Sequence, residues 1–168
     1  MVTCARHFEE ETGDEIAGIL EELGDSDPKI TITEMSGILA VETTVGQDEI
    51  IKKIHEKIED EPWAMRYTLR VIPIYATVST DVDSISNAVM AQTGKIKPED
   101  TYRITIEKRH ANVSSGEIIT KIADRVKNKV SLEKYDWMIL VEILGKTSGV
   151  SILKDSDILS VEKEKRIS

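Results

Sequence analysis

The order of hydrophobic periodicities over the first 80 residues constrains the fold more than any other feature of the sequence. Alternating segments predict strands at residues 2–8, 29–45 and 63–78, and the second of these breaks at Ser36-Gly37 into a hairpin. Between them, residues 13–24 and 48–60 repeat apolar side chains at the spacing of amphipathic helices. The resulting order, strand, helix, strand, strand, helix, strand, predicts an α+β fold with an N-terminal ferredoxin-like (βαββαβ) domain.

A second set of elements follows from Asp81, a predicted N-cap. The pattern indicates a helix to about Gln92, a strand at 102–110, a helix at 115–128 and a hairpin at 136–154. The first strand of that hairpin, DWMILVEIL, is nearly continuous in apolar residues, which is typical of a strand buried on both faces. Residues 158–165 are expected to form a last edge strand or a frayed tail. We therefore expect two domains, 1–80 and 81–168.

Composition indicates a soluble globular chain, with 40% hydrophobic and 32% charged residues. No apolar run approaches the ~20 residues of a membrane span, and the N-terminus lacks the pattern of a signal peptide. We therefore expect a cytoplasmic protein that does not contact membranes. Cys4 is the only cysteine, which excludes an internal disulfide and a cysteine-based zinc cluster, and we expect it to be a buried strand residue.

The formal charge of -9 is unevenly distributed. Residues 1–90 contain 7 Lys+Arg and 19 Asp+Glu, whereas residues 91–168 contain 15 and 12, a net charge of +3. Such asymmetry is compatible with one half contacting a polyanion while the acidic half stays away from it. An acidic surface that became uneven by chance is the alternative.

A basic strand end stands before a well-specified helix in YRITIEKRHANVSSGEIITKIADRV, residues 102–126. The strand finishes on Lys108, Arg109 and His110, and Ser114 with Glu117 has the spacing of a capping box. Guanidinium, ammonium and the free amides of a helix N-terminus all suit phosphate groups. A simple solvated strand end is the other interpretation.

The same helix carries Lys121 and Arg125 at a spacing of four, with Lys129 four residues further, at or beyond the helix end. This basic line is expected on the solvent side, either as part of the phosphate surface or as an ordinary wet helix face.

No catalytic constellation is visible in the sequence. The three histidines are scattered, the acidic clusters flank helix ends, and the G-K-T-S-G turn at residues 145–149 lacks the spacing of a nucleoside-triphosphate loop. We therefore expect no catalytic residue, no metal and no cofactor.

Three segments together resemble the THUMP domain, an RNA-binding module of tRNA-modifying proteins: YRITIEKRHANVSSGEII, VSLEKYDWMILVEILG and GVSILKD. The match covers residues 81–168, and a ferredoxin-like domain commonly precedes the module. The details are most similar to standalone adaptors for tRNA cytidine acetylation, because no catalytic domain is expected beyond Ser168.

The resemblance implies a non-enzymatic THUMP α/β domain that binds tRNA and presents it to a tRNA cytidine acetyltransferase or another tRNA-modifying enzyme. Backbone contacts from lysine and arginine would supply most of the affinity. The expected RNA contacts are Arg103, Lys108, Arg109, His110, Lys121, Arg125, Lys146 and Lys154. The alternative is a small acidic module of the ferredoxin-like type that binds a ligand or protein and has no RNA role.

Overall fold

The computed structural model describes residues 1–167. Its helices and strands, in chain order, are β1 (Val2–Cys4), α1 (Glu9–Glu22), β2 (Lys29–Ile32), β3 (Ile38–Glu42), α2 (Gln47–Asp60), β4 (Thr68–Val71), β5 (Ala76–Ser79), α3 (Val82–Met90), β6 (Thr101–Arg109), α4 (Ser115–Arg125), β7 (Lys129–Val130), β8 (Trp137–Leu144), β9 (Thr147–Leu153), β10 (Leu159–Ser160) and α5 (Val161–Ile167). The chain forms two compact units, residues 1–73 with 156–167 and residues 74–155.

The first unit contains the expected ferredoxin-like arrangement. Its antiparallel sheet has the strand order β10-β4-β1-β3-β2, in which β4-β1-β3-β2 is the order produced by a βαββαβ chain. The helices contribute one apolar face each to a shared core, with Ile16 and Leu20 from α1 and Ile54 and Ile58 from α2. Cys4 is buried at the end of β1, as expected.

The chain around β4 departs from the single long strand expected there. Cys4 pairs with Thr68 whereas Thr3 pairs with Arg70, so Leu69 is an extra residue in a β-bulge. The bulge reverses the alternation that residue type would favour, because the polar Thr68 is buried and the apolar Leu69 is 36% exposed. A bulge depends on the partner strand, and residue alternation alone does not reveal it.

A carboxylate on α1 holds the chain that enters β4. Glu15 accepts hydrogen bonds from the backbone N–H groups of Arg66 at 2.8 Å, Tyr67 at 3.2 Å and Thr68 at 2.9 Å. One acidic side chain thus satisfies three consecutive amides that have irregular backbone geometry.

The C-terminal segment lies in the first unit, whereas the sequence placed it in the second domain. Leu159 pairs with Val71 of β4, and both Leu159 and Val161 belong to the core of the first unit. The Lys165 ammonium donates a 2.7 Å hydrogen bond to the carbonyl of Met65. Residues expected to be an edge strand or frayed tail are therefore a two-residue strand followed by the helix α5.

The second unit is a five-stranded sheet in the order β5-β9-β8-β6-β7. β6 is parallel to both β7 and β8, while β9 is antiparallel to β8 and β5. Buried residues of α3 and α4 pack against alternate residues of β8, namely Ile139, Val141 and Ile143. Leu140 and Glu142, which alternate with them, are buried too, so the prediction of a strand buried on both faces is confirmed.

Both predicted N-caps are present in the second unit. The Asp81 carboxylate accepts a 2.7 Å hydrogen bond from the Ser84 amide at the start of α3. The Ser114 hydroxyl oxygen accepts a 3.2 Å hydrogen bond from the Glu117 amide at the start of α4. Sequence alone therefore located the beginning of both helices.

The position of Leu159 predicts where its truncation acts. Leu159→Ala should destabilise the protein by about 2–4 kcal/mol because it leaves a cavity in the first unit. In hydrogen exchange, protection should fall in β4 and α2, and β6 and β8 should keep theirs. Ser156→Ala, at an exposed position, is the control. Loss of protection in β6 and β8 instead would contradict the assignment of this segment to the first unit.

Candidate nucleic-acid interface

Three loops of the second unit meet at one edge of its sheet. β6 and β8 are parallel, and β5 and β8 are both antiparallel to β9, so the carboxyl ends of β5, β6 and β8 lie at the same edge. We name this the carboxyl edge. It comprises Ser79–Val82 after β5, Lys108–Ser114 at the end of β6, and the Gly145–Lys146 turn after β8.

Backbone hydrogen bonds tie these loops together. The Thr80 amide donates to the carbonyl of Lys146 at 3.0 Å, and the Gly145 amide donates to the carbonyl of Arg109 at 2.9 Å. The hydroxyls of Thr80 and Ser148 lie 2.7 Å apart. The loops line a shallow cleft of about 610 Å³ that includes His110 and Lys146. The topology thus places Lys146 in one cleft with His110, while Lys108 lies outside the lining at the same edge and bonds the Val113 carbonyl.

The basic side chains at this edge are available to a ligand. The Lys108 ammonium is exposed and donates one hydrogen bond, 3.1 Å long, to the carbonyl of Val113, which leaves it further donors. His110 and Lys146 are exposed as well. His110 has a left-handed backbone with φ of 52°, and this conformation ends β6 and turns the chain toward α4.

Two helix N-termini adjoin the carboxyl edge and differ in charge. α4 begins with the neutral Ser114 cap, and the acidic residue of its first turn is Glu117. The Glu117 carboxylate offsets part of the partial positive charge at that helix start. α3 begins with Asp81, whose pKa is held below its usual value by hydrogen bonds from the backbone and hydroxyl of Ser84. Asp81 is therefore ionised at neutral pH, and its charge opposes an anion on that side of the cleft.

Arg109 has an internal partner. Its guanidinium donates a 2.8 Å hydrogen bond to Glu142, whose side chain is 1% exposed while that of Arg109 is 33% exposed. A carboxylate buried to this degree needs a compensating cation. Arg109 therefore stabilises the fold, in addition to any role as an RNA contact.

The basic line predicted on α4 is exposed at Lys121 and Lys129, whereas Arg125 is only half-exposed and has partners on α3. Arg125 donates hydrogen bonds to the Ser86 hydroxyl at 2.8 Å and to the Asn87 side-chain carbonyl at 2.7 Å, both on α3. The Lys121 ammonium lies 3.8 Å from the carboxylate of Asp83, which is also on α3. Lys129 belongs to β7 and not to the helix. Lys121 and Arg125 therefore reach toward α3, and Lys129 lies apart from them on β7.

The remaining two expected contacts lie toward the opposite edge of the sheet. Arg103, near the start of β6, donates a 3.0 Å hydrogen bond to the carbonyl of Leu132. Lys154 follows β9, and its ammonium lies 5.1 Å from the ring centroid of Trp137. Of the eight expected residues, only Lys108, Arg109, His110 and Lys146 thus share one edge.

Sequence reasoning missed two acidic residues of this region. Glu142 had a detectable signal, because an acid inside the apolar run DWMILVEIL predicts a buried charge that needs a cation. Asp81 was recognised as a helix cap, but its position beside Lys146 follows from the pairing of β5 with β9 and from the Thr80 bond, which no local pattern encodes.

Residues 1–167 contain neither a membrane-spanning helix nor a cluster of metal-ligating side chains. No helix there combines the length and apolar character that crossing a bilayer requires. The described histidine, cysteine and acidic side chains do not gather into groups of three that could hold a metal ion.

Because Arg109 pairs with a buried acid, its loss should be felt in stability. We expect Arg109→Ala to lower the free energy of unfolding by about 1–3 kcal/mol, since Glu142 is left without its cation. Lys108→Ala, at the exposed neighbouring position, should change it by less than about 0.5 kcal/mol. Urea denaturation of both variants and of Arg109→Met/Glu142→Leu tests this. An equally large effect of both alanine variants would contradict a special role for the Arg109–Glu142 pair.

Comparison with known proteins identifies the second unit. The family model of the THUMP domain matches residues 79–153, which lie within the unit formed by residues 74–155. Among curated proteins, MJ0421 of Methanocaldococcus jannaschii is 29% identical over 125 residues, which make up 71% of this chain and 35% of that protein.

Two solved structures share the fold. PH1313 of Pyrococcus horikoshii superposes with a TM-score of 0.69 at 16% identity, over 95% of this chain and 54% of that one. A 4-thiouridine synthetase solved in complex with RNA and ATP superposes with a TM-score of 0.52 at 12% identity, over 95% and 41% of the respective chains. The chain thus spans about half or less of the proteins it matches. On the strength of the family match, the chain contains a THUMP domain, an RNA-binding module, at residues 79–153.

Proposed function

We propose that this protein binds tRNA and presents it to a separate tRNA-modifying enzyme, without catalysing a reaction itself. The observation that carries the proposal is the coincidence of the THUMP match with a unit whose carboxyl edge gathers Lys108, His110 and Lys146 beside the N-terminus of α4. These groups supply the point charges and amides that phosphates bind.

The distribution of charge supports a local rather than a global attraction for RNA. Residues 74–155 carry 12 Lys+Arg and 11 Asp+Glu, whereas the rest of the chain carries 10 and 20. The THUMP-containing unit is thus near neutrality, and the first unit repels a polyanion. Binding should therefore depend on a few positioned cations and fall steeply with salt.

The proposed partner is a tRNA cytidine acetyltransferase. Support comes from the resemblance of residues 102–119, 130–145 and 149–155 to standalone acetylation adaptors. The activities of the larger proteins in the comparison, including the ATP-bound synthetase, reside in chains of which this protein covers about half or less. They are therefore not attributed to it.

The carboxyl edge makes a measurable prediction for RNA affinity. Lys108→Ala/Lys146→Ala should weaken binding to bulk tRNA about tenfold, and the slope of log K against log salt should become shallower by about 1.5, since two phosphate contacts are lost. Filter binding at several salt concentrations measures both. Arg109 is left intact here because its loss would disturb Glu142.

Lys134→Ala is the matched control. Lys134 is exposed in the same unit and lies in the loop before β8, away from the carboxyl edge. It removes one charge without touching the proposed contacts. Equal weakening per charge by Lys134→Ala would show that binding reflects net charge, and the carboxyl edge would lose its special status.

Replacement of Asp81 should change tRNA affinity in the opposite direction, that is, raise it. Asp81→Asn keeps a good N-cap for α3 while removing a negative charge beside Lys146, so tRNA affinity should rise about twofold to threefold at low salt. Asp14→Asn, an exposed substitution in the first unit with the same change of charge, should have a smaller effect. Unchanged affinity for Asp81→Asn would place bound RNA away from this cleft.

A protein-interaction module without an RNA role is the second candidate, and the first unit favours it. That unit has twice as many acids as bases and exposes Trp63 at 68% and Phe8 at 45%. Absence of tRNA binding at low salt would favour this candidate. Repeating the assay with a tRNA cytidine acetyltransferase present then separates a site that the partner completes from a module with another use.

A further inference from the structure

The outer edge of β6 is unpaired over most of its length. β7 covers only its first two residues, with Thr101 opposite Lys129 and Tyr102 opposite Val130. Within residues 1–167, no strand pairs with this edge from Arg103 onward. An edge strand of this length ordinarily is covered, kept short or charged, because its free N–H and C=O groups invite another strand.

Two hydrogen bonds establish which backbone groups point outward. The Tyr102 carbonyl accepts from the Ser131 amide on the β7 side, and the Arg109 carbonyl accepts from the Gly145 amide on the β8 side, both at 2.9 Å. Backbone groups alternate in direction along a strand. Ile104 and Ile106 therefore direct their N–H and C=O groups out of the sheet, toward the open edge.

Exposed apolar side chains flank the same edge. Val130 of β7 is 46% exposed, Leu132 just after it is 67% exposed, and Ile119 of α4 is 43% exposed. Ile119 lies on the opposite side of α4 from Lys121, which faces α3, so it borders the β6 side of the unit. Apolar surface concentrated beside unpaired backbone is typical of an interaction surface.

The residues along the open edge match those of a second copy of β6 that runs antiparallel to the first. If two copies of β6 run antiparallel with Thr105 opposite Thr105, Arg103 of each copy faces Glu107 of the other, and Ile104 faces Ile106. Ile104 and Ile106 then form the hydrogen-bonded pairs, which agrees with the outward direction of their backbone groups. Charge, apolar contact and hydrogen bonding all fit this single register.

Two side-chain atoms in this stretch lack partners. The Arg103 Nε and the Thr105 hydroxyl are both buried and make no hydrogen bond. In the antiparallel register the two Thr105 side chains are direct cross-strand neighbours, and Arg103 gains a carboxylate opposite it. The register thus supplies partners for groups that are costly to leave unsatisfied.

We propose that two copies of this chain associate by antiparallel pairing of their β6 edges about Thr105, which joins two five-stranded sheets into one of ten strands. The pairing window is short, from Arg103 to Glu107, because β7 covers the residues before it. A pairing window this short makes a weak interface, for which we expect a dimer Kd on the order of micromolar. The dimer does not depend on RNA binding.

Charge reversal tests the register directly, by sedimentation equilibrium of the full chain at about 1–200 µM, the range for a micromolar dimer. Arg103→Glu places a carboxylate against Glu107 of the other copy, and Glu107→Arg places a guanidinium against Arg103. Each variant alone should therefore raise the dimer Kd at least about tenfold. An equimolar mixture of the two variants places opposite charges at both contacts of the heterodimer, because each carboxylate of one copy faces a guanidinium of the other, so it should form heterodimers more tightly than either variant self-associates. Glu34→Arg, an exposed reversal in the first unit, should leave the dimer intact.

Circular dichroism melts establish whether the variants are folded. If Arg103→Glu does not fold, Glu107→Arg, at an exposed position, provides the single-variant test. A wild-type protein that stays monomeric throughout this range overturns the proposal. So does a dimer that both single variants preserve, since another surface then forms it. The double variant Arg103→Glu/Glu107→Arg restores opposite charges at both contacts and should dimerise nearly as well as wild type. Its failure to recover the dimer overturns the register, whereas loss in each single variant with recovery in the double variant supports the proposal.

Discussion

The parallel pairing of β6 with β8 is the interaction on which the second unit depends. It runs without a break from Tyr102 opposite Trp137 to Arg109 opposite Leu144. Parallel neighbours cannot be joined by a tight turn, so the chain between them must cross the sheet, which it does through α4. The same pairing places the ends of both strands at one edge. The candidate RNA site is therefore a consequence of strand direction.

The Arg109–Glu142 pair shows how fold and site compete for the same cations. A carboxylate that is 1% exposed sits in the strand that forms the centre of the sheet, and the cation that compensates it ends the neighbouring strand. Arg125 is similarly held by Ser86 and Asn87 at the contact between helices. The cations most available to a ligand are those with exposed side chains and a weak internal role, such as Lys108 and Lys146.

The two units differ in net charge and in the side chains that they expose. The THUMP-containing unit carries nearly balanced charge, with cations at its carboxyl edge, whereas the first unit is strongly acidic and exposes Trp63 and Phe8. The excess of acids in the first unit is unfavourable to a polyanion, so the candidate RNA site is confined to the THUMP-containing unit. The open β6 edge is a third kind of surface, made of backbone groups and apolar side chains, and it suits a strand better than a phosphate.

The sequence by itself determined the ferredoxin-like unit, the helix caps at Asp81 and Ser114, and the doubly buried β8. These depend on local periodicity and on side chains that bond their own neighbours, which a linear pattern records. The THUMP resemblance was likewise carried by short segments whose order is visible in the chain. Tertiary structure alone decided which residues meet. The bulge at Leu69, the return of Leu159 to the first unit and the gathering of cations at the carboxyl edge all depend on pairing between distant strands. Periodicity specifies which side chains share a face of an element, and only the neighbouring element decides whether that face meets water.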